Sequence, residues 1–173
     1  MSRFRGGRAA MDTSYRISLR RYIDSDREDF VNLNIDPIVR KSMNGALTAE
    51  NANSLFYRVI SDEFAFAVIE NDSNDIVGHI FLSETGSPDE REIGFLFFRQ
   101  FWGKGFATEA CAIMIKKLVN VNFKRLIATI DTDHQPSIRV LLKSGFDFYA
   151  REQDELGPYL VYKKELGHQD QSF

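Results

Sequence analysis

A chain of 173 residues, 43% hydrophobic and 27% charged, is long enough to bury one good core and has the make-up of a globular domain. Its net charge of −3 gives no electrostatic reason to expect nucleic acid or an anionic membrane as partner. One cysteine excludes an intramolecular disulfide and fits a reducing cytoplasm, and the three histidines show no ligand spacing, so no metal is expected.

Residues 1–14 carry Arg3, Arg5 and Arg8 among glycine and serine and read as a flexible basic arm, with Met11 as a second possible start. The alternation over 15–21 predicts a half-buried strand. Asp24 and Ser25 offer N-caps to a short helix containing Phe30, Val31 and Leu33, which Pro37 ends or follows with another. After a polar break at 42–45, Thr48 is placed to cap a helix running through Leu55, Val59 and Ile60. Strands are predicted at 64–69 and 76–82, joined by the turn Asn71-Asp72-Ser73-Asn74-Asp75, and a third follows at 92–98. No apolar stretch reaches membrane-spanning length.

The stretch after that third strand organises the rest. Ala107, Ala110, Cys111, Met114 and Leu118 recur at helical spacing, with Lys116 and Lys117 in the last turns, where cations suit the helix dipole. Gly103 and Gly105 therefore stand at a strand-to-helix junction. Such a turn leaves amides of the first helical turn unpaired, with the positive end of the dipole behind them, a site for phosphate oxygens. Glycines at such junctions also serve as plain turns, and Lys104 reads equally as an exposed lysine. No Gly-Lys-Ser/Thr closes a P-loop, and no third glycine completes a dinucleotide fingerprint. Cys111 lies on the apolar stripe and reads as core packing.

Beyond it, 125–130 reads as a strand. Pro136 suits a first helical position, Ile138, Val140, Leu141 and Leu142 supply an apolar face, and Gly145 falls past the end. Segments 146–150 and 159–163 would form a final antiparallel pair, and 167–173, with His168, a polar tail. The order predicts a single α+β domain over 15–166, with a central mixed, mostly antiparallel sheet flanked by helices.

Three blocks carry a resemblance: Glu92-Ile93-Gly94-Phe95; Phe101-Trp102-Gly103-Lys104-Gly105-Phe106-Ala107-Thr108-Glu109-Ala110; and Ser137-Ile138-Arg139-Val140-Leu141-Leu142-Lys143-Ser144-Gly145-Phe146. Together they resemble the GNAT superfamily of acetyl-CoA-dependent N-acetyltransferases, and most nearly its ribosomal-protein alanine acetyltransferase (RimJ/RimL-like) branch. The resemblance implies acetyl-CoA as co-substrate. The pyrophosphate would sit on the turn of Gln100, Phe101, Trp102, Gly103, Lys104 and Gly105, continuing into Phe106 and Ala107. The pantetheine arm would pair with the strand backbone at Phe95, Leu96, Phe97 and Phe98. That strand and 126–130 would splay apart to leave the reaction gap.

Acetyl transfer needs a neutral amine, a polarised carbonyl and a proton for the departing thiolate. For the base the resemblance favours Glu92, with Glu84 second and Asp131 third; each also reads as a solvated strand-end charge. A backbone N–H near Phe97 or Phe98 would meet the oxyanion. Many relatives carry a tyrosine acid where this chain has Leu141, so Ser137 is its substitute, although it equally suits a helical first turn. His134 replaces the family's usual asparagine, and either contacts pantetheine or acts as an acid. His79 reads as packed or exposed without function. The acceptor would be a protein or peptide N-terminal amine, a polyamine, an aminoglycoside or an amino-acid derivative, and the protein a monomer or homodimer. The alternative is a catalytically silent CoA-binding module.

Overall fold

The structure, a computed structural model, describes residues 15–167. The proposed arm at 1–14 and His168 in the tail lie outside the described residues. In chain order the elements are β1 (Ile17–Arg21), α1 (Arg27–Ile35), α2 (Ala49–Val59), β2 (Ala65–Glu70), β3 (Ile76–Glu84), β4 (Glu90–Phe97), α3 (Phe106–Lys117), β5 (Arg125–Asp131), α4 (Gln135–Lys143), β6 (Asp147–Asp154) and β7 (Gly157–Glu165). The seven strands form one sheet in the order β1-β2-β3-β4-β5-β7-β6. Neighbours pair antiparallel except β4 and β5, which run parallel. This is the single-domain, mostly antiparallel α+β arrangement the element order predicts.

Local signals explain most boundaries. Thr48 accepts from the Asn51 amide at 3.1 Å and starts α2. Asn74, at φ 63°, turns the hairpin between β2 and β3, and Gly145, at φ 84°, ends α4. The entry to α1 differs from expectation. A 3-10 turn at Asp24–Asp26 precedes it, and the capping carboxylate is that of Asp26, which accepts from the Ile23 amide at 2.9 Å. Arg20 holds that carboxylate through two bonds of 2.7 and 3.0 Å, so a partner on β1 rather than the local run selects the cap.

The sheet is covered on both faces. On one, α3 and α4 bury Phe106, Met114, Ile138 and Leu141 against Leu19, Ile80, Ile93 and Leu126. On the other, Phe30 of α1 and Phe56 and Val59 of α2 close over Tyr22, Ala65, Ala67 and Ile69. A smaller cluster of Leu33, Val39 and Leu96 seats the loop after α1 on the back of β4. Fully burying side chains of this size contributes about 1.5–3 kcal/mol each, which locks β4 between two packed layers.

Candidate active site

The central strands diverge where the sequence blocks meet. β4 and β5 pair only as Glu90↔Arg125, Arg91↔Leu126 and Glu92↔Ile127. Beyond Glu92 they separate and leave a gap in the sheet. On its other side β4 stays in unbroken register with β3, and the Phe98 amide donates to the Val77 carbonyl at 3.1 Å. Antiparallel pairing alternates, so the backbone groups of Phe95 and Phe97 turn the other way, toward the gap. This narrows the oxyanion donor expected near Phe97 or Phe98: the Phe98 N–H is taken, and Phe97 is left. The Phe97 carbonyl accepts the Trp102 indole N–H at 2.8 Å, which ties the strand to the turn and removes that oxygen from any cofactor pairing.

The turn itself has the expected form. Arg99–Phe101 makes a 3-10 turn, Gly103 and Gly105 take φ of 75° and 81°, and α3 starts at Phe106 with Gly105 as N-cap. The Phe101 and Trp102 amides donate to the carbonyls of Phe98 and Arg99. Among the described residues, nothing accepts from the amides of Gly103, Lys104, Gly105, Phe106, Ala107 or Thr108; the first internal bond of α3 there is Glu109 N–H to the Gly105 carbonyl, 3.2 Å. A run of bare amides at a helix N-terminus is an anion cradle.

Sequence reasoning missed what braces this cradle. Arg16, just before β1, donates Nε to Glu109 Oε2 at 2.8 Å and Nη2 to the Lys104 carbonyl at 2.6 Å, and its own amide reaches Glu109 Oε1 at 2.8 Å. Its guanidinium lies over the Phe106 ring, 4.7 Å from the centroid. Glu109 therefore does more than sit favourably in the first turn of α3: it fastens α3 to the sheet edge. A contact across so much chain leaves no local signal. Lys104 Nζ stacks on Phe101 at 5.4 Å, so it is held beside the turn.

The candidate acid–base groups distribute unevenly. Glu92 sits where β4 and β5 part, and Thr129 donates to its Oε1 at 2.6 Å across the gap. Asp131 ends β5 opposite Tyr159 of β7. Tyr159, which the sequence reading passed over, donates to Glu152 at 2.9 Å. That bond raises its pKa, and the charges of Glu152, Asp154 and Glu92 add to the effect. Glu84 is exposed at the far end of β3, only 3.9 Å from Arg91, away from the gap.

Leu141 is 0% exposed within the main core. Ser137 is in the first turn of α4, and its hydroxyl has no partner among the described residues. His134, just before α4, carries the one inaccessible unpaired side-chain polar atom among them, Nδ1. An orphaned buried nitrogen beside the gap and a row of bare amides both fit a polar ligand that brings its own donors and phosphates. Those residues fit coenzyme A. Among the described residues no group of three His, Cys, Asp or Glu side chains could hold a metal ion.

Comparison with known proteins agrees with this geometry. A family model described as an acetyltransferase (GNAT) domain matches residues 16–147. An uncharacterized N-acetyltransferase of Bacillus subtilis, YnaD, is 30% identical over 136 residues, covering 77% of this chain and 80% of that protein. Among solved structures, spermidine N-acetyltransferase from Vibrio cholerae, in complex with CoA and spermine, aligns with a TM-score of 0.76 at 15% identity, covering 87% of this chain and 96% of that one. Ribosomal-protein-S5-alanine acetyltransferase from Vibrio fischeri aligns with a TM-score of 0.74 at 17% identity, covering 90% and 95%.

Proposed function

The chain belongs to the acetyltransferase (GNAT) family and is an acetyl-CoA-dependent N-acetyltransferase, and on that premise we propose that it acetylates a primary amine by direct attack in the gap between β4 and β5, with a protein or peptide N-terminal amine as the favoured acceptor. The observation that carries the reading is the run of unpaired amides from Gly103 to Thr108 at the end of the strand that borders the gap. Acetyl-CoA supplies the activated acetyl group. The amine nitrogen bonds to the acetyl carbon, the carbon–sulfur bond breaks, and the sulfur leaves as a thiol.

This chain's residues have separable tasks. Amides 103–108 hold the pyrophosphate, and the gap-facing backbone of Phe95 aligns the pantetheine arm. Glu92, directly or through a water, takes the ammonium proton, since an N-terminal α-ammonium with a pKa of about 8 is still mostly protonated at neutral pH, and an alkylammonium with a pKa near 10 almost wholly so. Thr129 keeps that carboxylate turned to the gap. The Phe97 N–H points at the developing oxyanion. Ser137 or His134 delivers the proton to sulfur, because Leu141 has none to give.

The acceptor class is supported by two features. The three sequence blocks resemble the RimJ/RimL-like branch, and Glu92 at the gap with Asp131 at the end of β5 favours an amine that arrives as a cation. Acetyl-CoA consumption measured against N-terminal peptides, polyamines, aminoglycosides and amino-acid derivatives tests it. Turnover of peptides above the others is expected, and turnover confined to polyamines would refute the peptide assignment. The buried Leu141 favours a second reading, a CoA-binding module without activity, which CoA binding with no turnover on any amine would establish.

A further inference from the structure

On the α1–α2 face, behind the cofactor strand, lies a groove of about 520 Å3 that the reaction scheme does not use. Part of its wall is His79, 3% exposed. The ring stacks on Phe81 at 4.8 Å and is enclosed by Tyr22 and Phe30. Phe81 in turn lies flat on β4 where a side chain at Gly94 would be, with a Cβ there only 2.4 Å from the ring.

The hydrogen bonds of His79 decide what it shows the groove. Nδ1 lies 2.7 Å from the Tyr22 hydroxyl and 3.2 Å from the Phe66 carbonyl. Tyr22 is buried, and Nδ1 is the one hydrogen-bond partner of its hydroxyl among the described residues. Burial raises the phenol's pKa, so it keeps its proton and needs an acceptor. Nδ1 is that acceptor, the Phe66 contact is a close approach, and the ring proton sits on Nε2, a tautomer assigned from the network. Burial, with the nearby Arg40 charge, pushes the pKa of His79 down to about 4, so the ring is neutral at neutral pH. Nε2 has no partner among the described residues, and the ring forms part of the groove wall.

Arg40 lines the same groove. It staples the loop after α1 through Nε to the Gly45 carbonyl (2.9 Å), Nη1 to Asn34 Oδ1 (2.8 Å) and Nη2 to the Met43 carbonyl (3.0 Å). All three acceptors are neutral. Two N–H groups remain on the guanidinium, and no carboxylate among the described residues pairs with it. Asp62, Glu63 and Glu84 also line the groove, matched in number by Arg40, Arg58 and Arg91; with no carboxylate bonded to it, the half-buried Arg40 guanidinium beside an unpaired imidazole N–H is the place in that wall for an anion.

We propose that this groove binds a carboxylate of the acceptor, held by the Nε2–H of His79 and the two remaining N–H groups of Arg40. The assignment rests on acetyl transfer taking place in the β4–β5 gap. His79 stands opposite Leu96 on β4, and the gap lies one strand further on. Strands are about 4.8 Å apart, so the gap lies roughly 10 Å from His79 in the plane of the sheet, a minimum for the separation of amine and carboxylate because the ring stands off the α1–α2 face. That spacing describes a peptide with an acidic side chain close behind its N-terminal amine, or a long ω-amino acid. Polyamines, which have no oxygen to offer, gain nothing from it.

Matched pairs test this: N-terminal peptides carrying glutamate or isosteric glutamine near the amine, and ω-amino acids of increasing length beside their carboxamides. Turnover and the ligand-induced Tm shift of the CoA-bound protein are read for each. The acid should exceed the amide by about tenfold in kcat/KM, the value of one charge-assisted hydrogen bond, and should raise Tm further. Preference among peptides alone, or among ω-amino acids alone, identifies the source of the carboxylate. Tyr22→Phe frees Nδ1 to donate to the Phe66 carbonyl and turns a bare Nε2 to the groove, so the acid-over-amide ratio should collapse toward one; Arg40→Gln should do the same. Equal turnover and equal Tm shift for acid and amide in the unaltered protein would overturn the groove assignment and leave acetyl transfer standing. A Tm preference for the acid with no amine acetylated would support the groove and refute the transfer reading.

Discussion

Substitution at Gly105 separates backbone geometry from electrostatics at the proposed pyrophosphate cradle. Gly105 adopts φ 81°, and a Cβ there would lie 3.3 Å from Arg16 Nη2. A left-handed conformation costs a residue with a side chain about 1–2 kcal/mol. Gly105→Ala should therefore lose about five- to thirtyfold in CoA affinity where the turn relaxes, or the same energy in stability where it holds. Gly103→Ala, at φ 75° with open space around it, carries that strain without the Arg16 contact and serves as its control. Gly105→Asp adds a carboxylate beside two phosphates. A unit-charge pair about 5 Å apart repels by roughly 1–3 kcal/mol, between bulk-water and protein-surface dielectric. Arg16 offsets part of that, so a further loss of about tenfold relative to Gly105→Ala is expected. Calorimetric titration of CoA at low salt, where screening is weakest, reads the difference directly. Identical affinities for the alanine and aspartate proteins would mean that no phosphate rests on these amides.

Three further outcomes follow from the site and core. Glu92→Gln should lower kcat on an amine near neutral pH by about a hundredfold, within the range of general base catalysis, and leave CoA affinity unchanged; equal rates would move the base elsewhere. Cys111 is fully buried and burial pushes its thiol up to about 12, so a thiol reagent following CoA release should see no reaction from the folded protein and one thiol after unfolding. His79, whose folded pKa is depressed from 6.5 to about 4, contributes stability that is complete above pH 6.5. That contribution is lost as pH falls toward 4, because the unfolded chain takes the proton first. The loss is at most about 3 kcal/mol, and the Tm of a His79→Phe protein should fall less over that window.

Every helix and strand was legible because each carries its own local signal. Thr48, the turn ending at Asn74, Pro136 and Gly145 mark boundaries within a few residues of the element concerned, and the buried faces repeat with the element's own period. The sequence predicts the penultimate strand only over 146–150, whereas β6 runs Asp147–Asp154. It is an edge strand, and its polar, exposed far half shows no alternation. The placement of β7 between β5 and β6 was not read either, since pairing partners leave no mark on a single strand. In the site, the turn was legible as a string of small and aromatic residues. Its brace was not: Arg16 and Glu109 meet only once β1 and α3 are packed together. The same holds for Tyr22 and His79, and for the loop stapled by Arg40. A sequence shows which residues have chemistry, but packing decides which of them share a hydrogen bond.

The proton for the departing sulfur is where this chain differs most from the pattern it resembles, and His134→Asn resolves it. Leu141 is sealed in the core, so no rotamer change brings a donor to that position. A thiol of ordinary pKa, about 8.5, is already a fair leaving group at neutral pH, so the donor need supply only part of the barrier. Ser137 offers a hydroxyl that stabilises a thiolate by hydrogen bonding without a strong tendency to give up its proton. His134 offers a ring whose Nδ1 has no partner among the described residues. If the ring only holds the pantetheine arm, asparagine, the family's usual residue there, restores the contact, and both kcat and the KM for acetyl-CoA stay within about threefold, less than one neutral hydrogen bond is worth. If the ring is the acid, kcat falls by about tenfold or more and KM is unchanged. A Ser137→Ala protein measured alongside should then retain most of its turnover. A kcat loss confined to Ser137→Ala would assign the proton to the serine and leave His134 as a cofactor contact.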